Sequence, residues 1–426
     1  MKVFLESLGC AKNLVDSEKI LSLFNSYNHT ITTNPLEAEI IIINTCGFIN
    51  SAREESINIV FEYSLLKKNS NLKTLILTGC LAEIAYNELK NCFYEVDYIL
   101  KINEFNDFLK KIDNNAINNN NFNRILTTPK GQAYLKIAEG CSQNCSFCTI
   151  PLFKGKFRSF KFEDIIEEVN FLVKKGVKEI NLIAQDLTSY GLDINLSLSF
   201  LLNSLCKIPQ LKWIRLLYTY PDKINKELIT VISQEEKICK YIDIPFQHLD
   251  DQILKKMRRW GSYEKYKDLI YLLREKMPDI AIRTTFIVGF PGETEEAFNN
   301  LIERVNEIKF DRLGVFEYSD EKGTASYKLK NKVDSITKKE RYNELMRVQM
   351  EISEEILSKR IGQINEVIVE DIDTNGICIC RSQYEAPEVD GLIFVKNKNA
   401  KIGDFINVKI TNLTGGSVYD LDGIMI

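Results

Sequence analysis

The chain reads as an α/β protein in three parts: a parallel α/β amino-terminal domain, a partial (βα)6 barrel of the TIM type, and a small carboxy-terminal β-barrel. Three observations predict this. Apolar β-branched runs alternate with helical patterns through the first hundred or so residues; a strand and a helix then recur about six times; and beyond residue 362 only short β-branched runs remain. With 426 residues, 45% of them hydrophobic, the chain is long enough for two to three domains with sizeable cores.

In the first part, residues 1–112, three runs read as strands and each ends at a cysteine. Residues 3–8 lead to Cys10, residues 39–44 (Glu-Ile-Ile-Ile-Ile-Asn) to Cys46, and residues 73–78 to Cys80. Helical patterns at 13–27 and 51–67 separate them, which implies a parallel sheet. Ligands of such sheets bind beyond the carboxyl ends of the strands. Cysteines distant in sequence therefore converge on one edge, where they can hold an iron–sulfur cluster with one iron left free. One buried free Cys is ordinary packing, but three at equivalent strand ends point to a metal site. Residues 113–124 are Asn-rich, too polar to order themselves, and read as a linker.

The second part, residues 125–334, supplies candidate strands at 133–138, 179–184, 213–219, 241–245, 280–288 and 312–318. Helical patterns include 162–175, 251–277 and 294–308, the last opened by the acidic turn Glu-Thr-Glu-Glu. Barrel active sites lie at the carboxyl ends of the strands. The loop after the first strand reads Glu-Gly-Cys-Ser-Gln-Asn-Cys-Ser-Phe-Cys, from Glu139 to Cys148. Cys141, Cys145 and Cys148 thus form a CxxxCxxC triplet, whose gaps let one short loop wrap a four-iron cube and leave its fourth iron bare. A cluster with four protein ligands only passes electrons; a bare iron also binds amino and carboxylate groups, which suits S-adenosylmethionine (SAM) and radical chemistry. Phe147, beside the last ligand, either shields the cluster from water or simply packs.

The strand-end rule nominates further residues: Gln185 and Asp186, Tyr218 and Tyr220, Gln247 and His248. Gly289 and Gly292, which flank Pro291, give an unhindered backbone to an adenine or methionine group, so Gln185, Asp186, Gly289 and Gly292 are the cofactor-binding candidates. His248 reads as a hydrogen-bonded structural residue rather than a catalytic base. No Ser-His-Asp arrangement or phosphate loop stands out.

Composition narrows the alternatives. Structural zinc wants a fourth Cys or a His nearby, yet His29 and His248 are remote in sequence. Disulfide frameworks suit small secreted domains, not a chain of this length with 11 cysteines. Cys92, Cys206, Cys239, Cys378 and Cys380 follow no such pattern and read as structural or incidental. The opening MKVFLESLGCAKN turns polar too early for a signal peptide, and no run of about 18 apolar residues suggests a membrane span. A cytoplasmic protein, where thiols stay reduced, is expected. Net charge is −4, with no global sign of nucleic-acid binding.

The third part begins with a connecting helix, residues 335–361, whose Leu345, Val348, Ile352 and Ile356 form a packing stripe. Residues 362–426 carry short strand-like runs at 366–370, 391–395 and 405–410, with five Lys and Arg against ten Asp and Glu. An RNA grip needs the opposite sign. An acidic barrel fits a basic protein partner, or is merely a solvated surface.

These residues together carry a family resemblance over nearly the whole chain. Ser-Leu-Gly-Cys-Ala-Lys-Asn-Leu-Val-Asp-Ser-Glu from Ser7, Asn-Thr-Cys-Gly-Phe-Ile from Asn44 and Thr-Gly-Cys-Leu from Thr78 resemble the amino-terminal domain of radical SAM methylthiotransferases. The loop from Glu139 to Cys148 resembles their SAM-cluster loop, and the tail their TRAM domain. Tyr-Ile-Asp-Ile-Pro-Phe-Gln-His from Tyr241, Met-Arg-Arg from Met257 and Val-Phe-Glu-Tyr-Ser-Asp-Glu-Lys-Gly-Thr from Val315 are most similar to the members that modify a ribosomal-protein aspartate.

The resemblance implies replacement of a C–H at the β-carbon of one aspartate of ribosomal protein S-twelve, near the decoding centre, by a methylthio group. It implies two 4Fe-4S clusters. Cys141, Cys145 and Cys148 hold the one that reduces SAM to a 5′-deoxyadenosyl radical; Cys10, Cys46 and Cys80 hold the one that presents the sulfur, across a substrate gap. It also implies an external electron donor, a reductant protein, and a sulfur source, with the ribosomal protein or small subunit met by the acidic TRAM domain. Two other readings remain: a tRNA adenosine methylthiotransferase, which shares both cysteine triplets, and a two-cluster, non-catalytic electron carrier or iron–sulfur sensor, which needs neither an open iron, a barrel nor a recognition domain.

Overall fold

The computed structural model describes residues 1–69, 71–112, 124–396 and 399–426; the linker expected at 113–124 lies outside them but for Arg124. The chain divides into two compact units, Met1–Thr127 with Thr149–Gly155, and Thr128–Cys148 with Lys156–Ile426. Among the described residues no helix is long and apolar enough to cross a membrane.

The first unit is a five-stranded parallel sheet in the order Thr30–Ile31, Lys2–Ser7, Ile40–Thr45, Thr74–Gly79, Tyr98–Ile99. Its three central strands are the three cysteine-terminated runs. The two edge strands are two residues long, too short to show any alternation in sequence. Ile40–Thr45 is buried at every position: Ile41 and Ile43 pack into one core with Val60, Leu75 and Leu77, while Ile40 and Ile42 pack into another with Val3, Phe24 and Ile76. A strand covered on both faces has no polar side to alternate with, hence its unbroken isoleucine run. Each isoleucine so buried contributes about 1.5–3 kcal/mol.

The second unit holds six parallel strands in chain order: Gln132–Lys136, Glu179–Ile183, Trp213–Leu216, Ile238–Asp243, Ala281–Val288 and Arg312–Glu317. The first and last are edges, so the wall is an open barrel. Alternate residues face opposite sides. One side is apolar and buried, with Leu135, Leu182, Leu216, Ile242 and Ile282; the inner side is polar, with Gln132, Tyr134, Glu179, Asn181, Arg215, Tyr241, Asp243, Arg283 and Arg312. The helix expected over 251–277 is two, Asp251–Met257 and Tyr263–Lys276. Arg258 turns left-handed, φ 56°, and its N–H closes back on the Leu254 and Lys255 carbonyls, an αL helix stop.

After the Ser335–Ser358 helix, five strands close a barrel in the order Ile364–Ile372, Ile377–Ser382, Ile393–Lys396, Leu421–Met425, Phe405–Leu413. Cys378 and Cys380 lie in its core with Val367, Val408 and Leu357. The end of its second strand and the loop that follows reach the polar inner side of the larger wall. Arg381 pairs with Glu179 at 2.5 Å, Arg215 donates to the Gln383 carbonyl at 2.6 Å and the Ser382 carbonyl at 3.2 Å, and the Tyr241 hydroxyl donates to Asp390 at 2.7 Å. Glu385 pairs with Arg312 at 3.0 Å and with Arg360. Buried charges cost several kcal/mol each unless matched; here each carboxylate meets two guanidiniums. Burial alone pushes the Glu385 carboxyl up, but Arg360 and Arg312 outweigh it and hold it at about 2.

Candidate metal centres

In the first unit each cysteine begins where a strand has just ended. Cys10 caps the helix Ala11–Ser26, Cys46 follows Ile40–Thr45, and Cys80 opens the helix Cys80–Ile84. Asn13 ties the three ends together. Its buried amide nitrogen donates to the Leu8 carbonyl at 2.9 Å and the Thr45 carbonyl at 3.2 Å, and its amide oxygen lies 3.8 Å from the Cys80 sulfur. Ser56 holds the Cys46 backbone from both sides, accepting from its N–H at 3.0 Å and donating to its carbonyl at 2.9 Å. Gly9, at φ +89°, brings the chain so close that a Cβ there would sit 2.8 Å from both the Cβ and the sulfur of Cys46. Only glycine fits that approach.

Cys46 and Cys80 are buried and Cys10 is exposed. Burial pushes the Cys80 thiol up to about 12, against the opposing charge of Lys154 and with help from Cys10 and Cys46; burial likewise raises Cys46, and Cys10 adds to it. The three sulfurs therefore sense one another's charge. Among the described residues no three His, Cys, Asp or Glu groups close on a single-ion site. An all-thiol set suits an iron–sulfur cluster, and binding one must displace the protons that burial holds on Cys46 and Cys80.

In the second unit the loop from Gly140 to Cys148 is braced from several sides. Its centre is fixed by Ser146, whose N–H donates to the Met257 carbonyl at 2.9 Å and whose hydroxyl donates to the Lys256 carbonyl at 2.8 Å, while Ser326 N–H donates to the Ser146 carbonyl at 2.8 Å. Gln143 N–H points at the Cys141 sulfur at 3.4 Å, and the Gln143 side chain donates to Asp186 at 3.0 Å. Burial pushes the Cys141 thiol up to about 11. Arg259, freed by the helix stop at Arg258, donates to the Cys145 sulfur at 3.5 Å and lies 4.1 Å above the Tyr220 ring. Three thiols on one short braced loop fit a cluster in the same way.

The other nominated residues divide. Gln185 donates to Glu139 at 2.8 Å, beside Lys136 at 2.7 Å from the same carboxylate, and Asp186 braces the loop through Gln143 while taking the Ser189 hydroxyl at 2.6 Å and Lys223 at 3.3 Å. Both meet the cluster loop. In the turn of Gly289 and Gly292, whose Phe290 packs against Phe147 of the cluster loop, Gly289 N–H donates to Glu293 at 3.0 Å, and the space a Cβ would need is filled by Lys338 at one and Lys256 at the other. His248 is fully buried, with Nδ1 accepting from Asp250 N–H at 2.9 Å and Nε2 3.3 Å from Glu293, a structural arrangement. Phe147 packs beside Ile253, Met257 and Phe290. Asn13 and Arg259 were not singled out by the strand-end rule, because one lies inside a helix and the other beyond an unexpected helix break.

Three family models match the chain: the Radical SAM superfamily over residues 135–305, Uncharacterized protein family UPF0004 over residues 2–101, and the TRAM domain over residues 361–426. The chain is 43% identical over 442 residues to the ribosomal protein uS12 methylthiotransferase RimO of Clostridioides difficile (strain 630), spanning 99% of this chain and 100% of that protein. It is 46% identical over 433 residues to the protein of the same name from Thermoanaerobacter sp. (strain X514), spanning 98% of each. Among solved structures, the radical S-adenosylmethionine methyltransferase TsrM from Kitasatospora setae, with cobalamin and a 4Fe-4S cluster bound, is similar at a TM-score of 0.55 and 13% identity over 74% of each chain. That likeness is one of fold.

Proposed function

Because the chain belongs to the ribosomal protein uS12 methylthiotransferase family of radical SAM proteins, we propose that it adds a methylthio group to the β-carbon of an aspartate of ribosomal protein uS12. The observation that carries this reading is 43% and 46% identity to proteins of that name over 99% and 98% of the chain. Cys141, Cys145 and Cys148 hold one 4Fe-4S cluster and Cys10, Cys46 and Cys80 a second. When bound, the first cluster with SAM supplies a radical that takes a hydrogen atom from the substrate carbon, and the second supplies the sulfur.

The protein's own residues do the rest. Ser146, Gln143 and Asp186 fix the loop that carries one thiol set, and Asn13 and Ser56 fix the ends that carry the other. Arg259 places a positive charge against a cluster ligand, where it favours added negative charge. The electron donor and the sulfur come from outside the chain, in a cytoplasm that keeps thiols reduced. Residues 362–426, with twice as many acidic as basic groups, meet the basic ribosomal protein. The same acidity weighs against the second reading, a tRNA adenosine as substrate.

The test is anaerobic incubation of cluster-reconstituted protein with SAM, a reductant, sulfide, and either uS12 or unmodified tRNA, followed by mass spectrometry of each. A methylthio gain on an aspartate peptide is expected; a gain on tRNA alone would move the function to RNA. In the same assay Cys141→Ala should abolish SAM cleavage, whereas Cys10→Ala should spare cleavage and stop methylthiolation. Product from the Cys10 variant would remove the second cluster from the reaction.

A further inference from the structure

The inner side of the six-stranded wall carries four cations, and they are not equivalent. Lys136 is engaged by Glu139, Arg215 by Glu179, and Arg312 by Glu385, with side chains 5%, 0% and 6% exposed. Arg283 is 17% exposed. It sits at the level where Asp243 ends its strand, paired in register with that residue.

Its fork is aimed rather than loose. Nη1 lies 3.1 Å from Asp243 and Nε 3.7 Å from Asp390. Asp243 is itself fixed by Tyr218 N–H at 3.0 Å, a residue held left-handed at φ 61°. Asp390 has other partners in the Tyr241 hydroxyl at 2.7 Å and Ala386 N–H at 2.8 Å, so Arg283 is not its sole support. Nη2 makes no hydrogen bond among the described residues, and it faces Gly314, where even a Cβ would stand 3.8 Å from it. Phe316, two residues on and on the same face, is 52% exposed. The result is a guanidinium edge whose two Nη2 N–H groups make no hydrogen bond among the described residues, beside the exposed Phe316 on the inner side of the wall, five residues before the carboxyl end of its strand.

We infer that Arg283 is a specificity-determining residue whose Nη2 edge receives the side-chain carboxylate of the substrate aspartate; the inference rests on the uS12 reading above. The reacting β-carbon is bonded directly to that carboxylate carbon, so gripping the carboxylate fixes the carbon whose hydrogen is taken. A neutral amide in its place offers Arg283 one weaker acceptor and a repelling NH2 group.

The experiment compares two uS12 loop peptides, one with the aspartate and one with asparagine, bound anaerobically to the cluster-loaded, SAM-bound protein. The natural chain should prefer aspartate roughly ten- to a hundredfold. Arg283→Gln should erase the preference and Arg283→Lys retain part of it. Gly314→Val, which fills the space before Nη2 and leaves the Asp243 pair untouched, should lower it as well. If Arg283→Gln weakens both peptides equally, the role is structural and the inference fails. If it weakens SAM binding and leaves the peptide preference intact, the carboxylate held is that of SAM and the inference fails too. A natural chain that modifies tRNA and not uS12 in the mass assay overturns the parent reading, an outcome distinct from a failure of Arg283.

Discussion

Arg259 spends a full positive charge on a sulfur. Burial disfavours a guanidinium, yet the Cys145 thiolate ahead of the Tyr220 and Tyr266 hydroxyls more than restores its proton affinity. A charge-assisted hydrogen bond of this kind contributes roughly 1.5–3 kcal/mol. Since it favours the more negative state of whatever Cys145 ligates, Arg259→Gln should lower the cluster's reduction potential by roughly 60–130 mV, at about 59 mV per tenfold for one electron. Electron paramagnetic resonance during a redox titration measures this directly. Arg259→Lys should recover part of the shift, and an unchanged potential in the Gln variant would reduce Arg259 to a packing residue. Little of this is legible in the sequence: Arg259 belongs to the Met-Arg-Arg stretch from Met257, but its partner Cys145 lies 114 positions away.

At the scale of elements, the break that delivers Arg259 rests on one strained residue. Arg258 holds φ 56° at the end of Asp251–Met257, where a side chain costs about 1 kcal/mol relative to glycine. Arg258→Gly is therefore expected to stabilise the protein by ~1 kcal/mol, seen as a small rise in thermal midpoint; a fall would mean the Arg258 side chain has a role of its own. The break differs from the single helix expected over 251–277 because its left-handed stop is a non-glycine; the pair Gly261, at φ 95°, and Ser262, the N-cap of the next helix, is the signal in the sequence that marks it. Buried strands are legible through their length and apolar runs, the Cys141, Cys145 and Cys148 triplet through spacing, and Cys10, Cys46 and Cys80 through their place after three such runs. The inner face of the wall is not. Asn181, Arg215 and Asp243 each alternate with apolar residues, a pattern that in an isolated strand means solvent, and what the inner face meets only becomes plain once the loop at 382–390 is in place.

For the whole molecule that loop makes the carboxy-terminal barrel part of the inner side of the six-stranded wall. Glu385 titrates at about 2 rather than its ordinary 4.5, so its contribution, ~3 kcal/mol at 1.36 kcal/mol per unit, is fully present above pH 4.5 and is lost as pH falls from there toward 2. Amide hydrogen exchange over residues 364–425 should accelerate through that window. Glu385→Gln leaves Arg312 and Arg360 without their carboxylate and should cost about 3–5 kcal/mol at neutral pH, with the acid-dependent step gone; a variant as stable as the natural chain would show that the pairing is idle. The same junction sets a schedule for synthesis. Arg381 follows Glu179 by 202 residues, which at roughly 5–20 residues per second is some 10–40 seconds of translation. Through that interval the growing wall carries charges built for a partner not yet made, so the barrel cannot finish folding as it emerges, and its completion waits on the segment that follows it.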